Sequence, residues 1–209
     1  MASERGSSAT RWAGVSLADR RSERRALLVE AAFELFGTEG EAAVSVRAVC
    51  RSARLHARYF YENFAGTDEL LGAVYDQVAA ELAERLLAAE AAGQGGDPAA
   101  GLRAGIHGVL EFSSADPRRG RVLFTEGRAN PVLAARRQAT QTALMDAALQ
   151  QSTQVRPELG SRQARVSAAM FTGAMVELAH QWLSGTLGED LDAVVEYAAS
   201  LVMHGDPRC

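Results

Sequence analysis

The chain has no lysine, only two cysteines and no long apolar run. All 22 cations are arginines, which we attribute to GC-rich coding. Cys50 and Cys209 are too few and too badly placed for a disulfide framework, as expected in a reducing cytoplasm. Because no stretch approaches about 18 apolar residues, we expect no membrane span. The N-terminus lacks the apolar core of a signal peptide, so we predict a cytoplasmic protein.

Recognisable catalytic and metal-binding motifs are also missing. There is no nucleophile elbow, zinc-protease motif, phosphate-binding loop or dinucleotide fingerprint. His107 with Glu111, and Glu177 with His180, place two metal ligands on one helix face, but structural zinc needs a larger set. We therefore expect no metal, no cofactor and no catalysis. An α-helical enzyme remains the competing hypothesis.

The formal net charge of -4 is unevenly distributed. Residues 1–61 hold ten arginines against seven acidic residues, whereas residues 62–209 hold twelve against nineteen. A basic head on an acidic body suits a protein whose head alone touches DNA, because neutralising phosphates drives most non-specific affinity. Six of the ten arginines precede residue 26, so the excess also fits a basic N-terminal arm alone.

Apolar residues recur at helical spacing along the chain, and nothing alternates as a strand would. The sequence therefore predicts an all-α fold with a helix-turn-helix head, a long linking helix and a helical bundle. Residues 1–21 are predicted to be a mobile arm, 22–66 the head, and 67–209 the body. In the head, the predicted helices are 22–36, a short helix after Ser45, and 56–64; Ser22 is the predicted cap of the first. In the body, they are 67–92, 97–114, a short helix after residue 117, 131–153, 163–183 and 190–204; Thr67 is the predicted cap of 67–92. Residues 93–96 are the clearest predicted break.

Residues 45–71 contain the most informative pattern. Val49 lies on an apolar helix face, Leu55 follows in a tight turn, and Phe60 and Phe64 form a buried stripe at i, i+4. The outward positions of the second helix are His56, Ala57, Arg58, Tyr59, Tyr61 and Glu62. Apart from the acidic Glu62, they are small, cationic or hydroxyl-bearing. Such a face suits a major groove, where an arginine reaches a guanine edge and a tyrosine hydroxyl a phosphate. Helix pairs with aromatic inner faces are also common in plain helical cores.

This stretch resembles the helix-turn-helix of the TetR family of transcriptional regulators. The family run reads roughly T-V-R-x-I-A-x-x-A-G-V-S-x-x-T-L-Y-x-Y-F-x-S-K-E-x-L. The matching residues here are Ser45-Val46-Arg47, Val49-Cys50, Ala53-Arg54-Leu55-His56, Tyr59-Phe60-Tyr61, Phe64 and Asp68-Glu69-Leu70-Leu71. Residues 31–36 with Gly40 resemble the family's first helix and the glycine after it, so the resemblance covers about residues 24–75.

The sequence departs from the family pattern at three places. Arg54 replaces a turn glycine, which predicts a left-handed arginine. His56 replaces a capping serine, and Gly66 with Thr67 replaces Ser-Lys, which removes a phosphate-binding lysine. A helical protein-interaction module with weakened DNA binding is therefore the alternative function.

The resemblance implies a ligand-responsive dimeric regulator, a repressor released from a palindromic operator by a small molecule. Its predicted DNA-contacting residues are Ser45, Arg47, His56, Ala57, Arg58, Tyr59, Tyr61 and Thr67. It also implies that the last two helices form a four-helix interface in a homodimer. Their apolar stripes are Val166, Ala169, Met170, Gly173, Val176 and Leu183, and Leu191, Val194, Val195, Ala198, Leu201 and Val202, although either stripe can face its own core.

The body also has room for a small-molecule pocket. Candidate lining residues are large or polar side chains on otherwise apolar faces: His107, Phe112, Phe124, Met145, Phe171, Glu177 and Trp182. The apolar members suit a plain core equally well, since ligand pockets are themselves mostly apolar.

Overall fold

A computed structural model describes residues 17–92, 97–155 and 161–204. Within these ranges the chain is helical and contains no strand. The helices are α1 (Leu17–Glu39), α2 (Val46–Ser52), α3 (Ala57–Tyr61), α4 (Thr67–Ala92), α5 (Pro98–Ala115), α6 (Pro117–Gly120), α7 (Pro131–Val155), α8 (Ser161–Leu183) and α9 (Leu191–His204). A 3-10 turn (Glu41–Ala43) follows α1, and a π-helical turn (Arg121–Thr125) follows α6. The predicted all-α architecture is confirmed.

Local sequence signals set where the helices of the body begin. The side chains of Asp97, Asp116 and Asn130 accept backbone N–H bonds of 2.9, 3.1 and 3.0 Å. Each of these residues precedes a proline at the first helical position, where the missing N–H costs nothing and the fixed φ suits the helix. None of the helices in the described ranges is long and apolar enough to cross a membrane.

Helix α1 is longer than predicted. It begins at Leu17, so the predicted cap at Ser22 is wrong and residues 17–21 belong to the helix. Asp19 lies in the first turn, where a carboxylate stabilises the helix by interacting with the positive end of its dipole. Residues 1–16 of the predicted arm, including Arg5 and Arg11, lie outside the described residues, as do 93–96 and 156–160.

Helix α1 also continues through Gly37 to Glu39, past its predicted end at residue 36. A Cβ at Gly37 would lie 2.5 Å from Cβ of Arg118, so the glycine allows close helix packing instead. Gly40 adopts φ 88° and follows the last helical residue, where a left-handed glycine commonly ends a helix.

Two apolar cores hold the chain together. The larger core joins the head to the base of the body and includes Leu28, Phe36, Phe60, Val74 and Phe112 among its buried side chains. The smaller core lies between α5, α8 and α9 and contains Ile106, Leu110, Ala179, Val195 and Ala199. Helix α4 packs against α1 on one side and against α5 and α7 on the other. The head is therefore firmly attached to the body through α4.

Candidate nucleic-acid interface

Helices α2 and α3 form a closed helix-turn-helix. The Ser45 hydroxyl accepts the Ala48 N–H at 3.2 Å and caps α2, as predicted. In the turn, the Leu55 N–H donates to the Cys50 carbonyl at 2.9 Å. Phe60 and Phe64 are buried, with ring centroids 5.9 Å apart, so the inner face of α3 is anchored and its outer face is presented.

The departures from the family pattern leave this geometry intact. Arg54 takes φ 55°, the left-handed conformation predicted for it. His56 begins α3 without a side-chain cap bond. Because the turn bond and the buried aromatic pair still form, these residues affect the stability of the head and not its shape.

We expect Arg54→Gly to stabilise the protein. A left-handed non-glycine residue costs roughly 1–2 kcal/mol, and the greater freedom of an unfolded glycine offsets part of the relief, so the net gain is about 0.5–1 kcal/mol. Arg51→Gly is the matched control, because Arg51 lies inside α2, where glycine costs about 1 kcal/mol. Urea unfolding followed by circular dichroism measures both, and a destabilised Arg54→Gly variant would contradict the assigned strain.

The structure exposes most of the predicted DNA-contacting side chains. His56, Ala57 and Arg58 are exposed at the start of α3, and Tyr61 is 63% exposed at its end. Arg47 is exposed on α2. This arrangement presents the N-terminal residues of the second helix, which are the ones that contact base edges in helix-turn-helix proteins.

Three members of the predicted set are placed differently. Tyr59 is half-buried, with the Arg24 guanidinium 4.6 Å from its ring centroid. The hydroxyl of Ser45 is already used as the cap of α2. Thr67 is half-buried and lines an open depression together with Glu41 and Asp68, whose acidic side chains disfavour phosphate. Their contacts to DNA remain predictions.

An arginine cluster around Glu62 was not predicted from the sequence. Arg58 Nε donates to Glu62 Oε1 at 2.9 Å, Arg24 Nη2 lies 3.7 Å from Glu62 Oε2, and Arg21 donates to the Glu62 carbonyl oxygen. The hydrogen bond from Arg58 lowers the pKa of Glu62. No sequence pattern indicated this cluster, because like charges at i, i+4, such as Arg20 with Arg24 and Arg21 with Arg25, do not favour a helix.

Asn130 connects the head to the body. Its Oδ1 caps α7 by accepting the Val132 and Leu133 N–H groups at 3.0 and 3.1 Å. Its Nδ2 donates to Glu41 Oε1 at 2.7 Å and to Asp68 Oδ1 at 3.0 Å. One buried amide therefore joins the turn after α1, the start of α4 and the start of α7.

Two arginines reinforce this joint from the body. Arg118 pairs with Asp116 at 2.7 Å and with Glu34 of α1, and these hydrogen bonds raise its pKa. Arg121 pairs with Glu126 at 2.6 Å and donates to the Thr38 carbonyl oxygen. The contact between head and body is therefore polar at its edge and apolar in its interior.

The predicted ligand-lining residues are distributed over four environments. Phe112 is buried in the larger core, beneath the Arg119 guanidinium at 4.6 Å. Phe124 and Trp182 both pack against the smaller core. His107, Met145 and Phe171 are half-buried on α5, α7 and α8, and Glu177 is exposed and accepts from Gln181 at 2.6 Å. The structure thus brings Phe124 and Trp182 to one core and leaves Glu177 on the surface.

Two nitrogen atoms in this part of the body are buried and have no hydrogen-bond partner among the residues that the structure describes. They are His180 Nδ1 and Trp182 Nε1, both near the end of α8. Glu111, the predicted partner of His107, is instead bound by Arg85 at 2.6 Å. Among the residues described here, no three histidine, cysteine or acidic side chains are grouped so that they could hold a metal ion.

A helix-turn-helix head with an exposed second helix, carried on a helical body, is the architecture of helix-turn-helix DNA-binding proteins. Comparisons with known proteins indicate one family within this class. Residues 28–74 match the family model described as bacterial regulatory proteins, tetR family. A comparison with curated protein sequences finds no match.

Solved structures resemble the chain over most of its length. A TetR-family transcriptional regulator from Pectobacterium atrosepticum is 24% identical, with TM-score 0.66 and coverage of 90% of this chain and 94% of that one. The fatty acid degradation regulator FadR from Bacillus halodurans is 15% identical, with TM-score 0.72 and coverage of 88% and 96%. FadR from Bacillus subtilis, solved with stearoyl-CoA, is 17% identical, with TM-score 0.73 and coverage of 87% and 98%.

These findings confirm the family resemblance inferred from the sequence. Residues of the head match the TetR-family model, and the described chain shares its fold with TetR-family transcriptional regulators.

Proposed function

We propose that the chain is a ligand-responsive repressor that binds a palindromic operator and is released by a small molecule. The exposed outer face of α3, carried on an intact helix-turn-helix, is the observation that carries the proposal. Arg58 and Tyr61 are among the exposed residues that contact DNA, and the excess of arginine over acidic residues in residues 1–61 supplies the general attraction for phosphates. A regulator that binds chromosomal DNA acts in the cytoplasm.

Helix α4 is the connection through which a ligand would act. It contributes Leu70, Leu71 and Val74 to the core shared with the head and packs against α5 and α7 in the body. A ligand that moves α5 or α7 would therefore change the distance between the two recognition helices of a dimer. This is a two-state coupling, so operator DNA must weaken ligand binding by the same factor as ligand weakens operator binding.

The smaller core of the body is the proposed place for the ligand. Phe124 and Trp182 pack there, and the unpartnered nitrogen atoms of His180 and Trp182 can donate to an acceptor group. The FadR structure from Bacillus subtilis was solved with stearoyl-CoA, a long apolar chain with a polar head. We therefore propose an apolar ligand that carries a hydrogen-bond acceptor.

Homodimer formation through α8 and α9 is supported by apolar side chains that the single chain leaves uncovered. On α8, Val166 is 54% exposed and Met170 is 71% exposed. On α9, Tyr197 is 69% exposed and Leu201 is 58% exposed. Apolar patches of this kind mark interaction sites. The opposite face of α8 packs on the smaller core, so its predicted stripe is exposed from Val166 to Val176. The α9 stripe is divided: Leu191, Val194, Val195 and Ala198 belong to or pack against the smaller core, whereas Leu201 and Val202 are exposed.

Gly173→Arg is expected to break the dimer without unfolding the chain. A Cβ at Gly173 meets nothing within 4 Å in the single chain, so the protomer accepts a larger side chain. In an α8–α9 interface the guanidinium would be buried without a partner, which we expect to weaken association by about 100-fold or more. Sedimentation equilibrium measures the change.

Gly101→Arg is the matched control for that substitution. Gly101 is exposed on α5 and also has nothing within 4 Å of its Cβ position. We expect its dimer affinity to equal that of the unsubstituted protein. If Gly173→Arg leaves association unchanged, α8 does not form the interface.

The function is tested by fluorescence anisotropy with the DNA upstream of the protein's own gene and a scrambled duplex, at two salt concentrations. Tight binding to the native duplex alone supports the regulator. Combined substitution of Arg58 and Tyr61 by alanine should lower operator affinity by about 100-fold while the dimer persists. Absence of binding to either duplex at low salt would favour the helical interaction module instead.

A further inference from the structure

The guanidinium of Arg58 is hydrogen-bonded through Nε, whereas its two terminal nitrogens carry no hydrogen bond within the described residues. Its Nε donates to Glu62 Oε1 at 2.9 Å, and the side chain is 80% exposed. Within the described part of the chain, the two terminal nitrogens of Arg58 make no hydrogen bond. A planar fork with two free N–H groups matches the O6 and N7 acceptors of guanine in the major groove.

The carboxylate that holds Arg58 is itself fixed by α1. Glu62 Oε2 lies 3.7 Å from Arg24 Nη2, and Arg21 donates to the Glu62 carbonyl oxygen. The guanidinium groups of Arg24 and Arg58 lie 4.6 and 5.7 Å from the centroid of the Tyr59 ring. The hydrogen bond from Arg58 lowers the pKa of Glu62, so this carboxyl stays ionised at neutral pH.

We propose that Arg58 reads one guanine in each operator half-site through its two terminal nitrogens, and that Glu62 is the positioning residue that aims them. This inference rests on the proposed function, since it assigns a base to the operator. It also gives α1 a part in specificity, because Arg21 and Arg24 hold Glu62 in place.

A different role for Glu62 makes the opposite prediction. If the carboxylate only neutralised Arg58, its removal would raise affinity for every duplex, since one negative charge would leave the DNA-facing surface. If it aims Arg58, its removal raises affinity for non-specific DNA but lowers affinity for the selected site. The sign of the change at the selected site therefore separates the two roles.

The test begins with selection of binding sites from a random-sequence duplex pool by the full-length protein. Each guanine of the selected site is then replaced by 7-deazaguanine, which lacks the N7 acceptor. We expect one symmetry-related pair of guanines at which this change weakens binding by about tenfold per half-site, because one charged hydrogen bond is lost. The same 7-deazaguanine replacement should not weaken binding by the Arg58→Ala variant.

Three variants at acidic residues complete the test. In Glu62→Ala, replacing the guanine by 7-deazaguanine should no longer weaken binding, which is the penalty seen in the unsubstituted protein. This variant should also bind non-specific duplex about two- to fivefold more tightly. Glu62→Gln keeps an oxygen that accepts from Nε, so it should retain most of the penalty. Glu23→Ala removes one charge from an exposed position of α1 and should raise non-specific affinity while the penalty stays unchanged. The non-specific affinity also shows that each head is folded.

The possible outcomes are distinct. Loss of the guanine penalty in Glu62→Ala with its retention in Glu62→Gln supports the inference. A selected site with no sensitive guanine, or an unchanged penalty in Glu62→Ala, overturns the inference and leaves the regulator in place. A protein that selects no sequence overturns the proposed function as well.

Discussion

Replacing Phe60 by alanine is expected to destabilise the protein by about 3–5 kcal/mol, because truncating a fully buried phenylalanine removes apolar burial and leaves a cavity. Phe60 is 0% exposed and lies 5.4 and 5.9 Å from the rings of Tyr61 and Phe64. For a chain of this length the melting temperature should fall by roughly 10 °C. Thermal unfolding followed by circular dichroism measures the shift, and operator binding should be lost at temperatures where the head is unfolded.

Tyr61→Ala is the matched control, one residue further along the same helix. Tyr61 is 63% exposed, so its removal should change stability by only about 0.5 kcal/mol. It should nevertheless weaken DNA binding, since its hydroxyl is a predicted phosphate contact. A Phe60→Ala variant that melts with the unsubstituted protein would mean that Phe60 does not anchor α3.

The local parts of the fold were predictable because their causes are local. The caps at Asp97, Asp116 and Asn130 depend on a side chain and the two or three residues after it, so sequence order alone reveals them. The stripe of Phe60 and Phe64 depends on spacing within one helix. The resemblance to a known family then identified these short helices as a DNA-reading pair.

Features that depend on distant residues were missed or left open. The start of α1 was placed five residues late, because its first turns are held by Arg21 against α3 and not by a cap at Ser22. Phe112 was a candidate for the ligand pocket, yet it is buried in the core shared with the head. Composition and spacing are the same for a core phenylalanine and a pocket phenylalanine, so only tertiary contacts distinguish them.

Asn130 makes one contact that sequence order reveals and others that it does not. Its Oδ1 caps α7 through the N–H groups of Val132 and Leu133, contacts that depend only on neighbouring residues. Its Nδ2 binds Glu41 and Asp68, which are 89 and 62 residues away in sequence, and no pattern indicated these contacts. Because Glu41 follows α1 and Asp68 begins α4, the amide couples the two helices that position the head to the first turn of α7.

Asn130→Asp is therefore expected to destabilise the protein by about 2–4 kcal/mol, even though aspartate is as good a helix cap as asparagine. The substitution keeps the oxygen that caps α7 but replaces the donor with a carboxylate facing two others at a site that is 5% exposed. Like charges in a buried site are costly. The deficit should shrink as the pH falls, because protonating the introduced carboxyl restores a donor.

Asn130→Ala separates the two roles of this residue, since it removes the cap and the bridge together. If Asn130 only capped α7, Asn130→Ala would cost about 1 kcal/mol and Asn130→Asp almost nothing. If the bridge dominates, Asn130→Asp will be at least as damaging as Asn130→Ala. In a Trp12→Phe background, Trp182 fluorescence reports the body alone while circular dichroism reports all helices. A dichroism transition at lower urea than the Trp182 transition would then show that the head unfolds apart from the body once its amide bridge is broken.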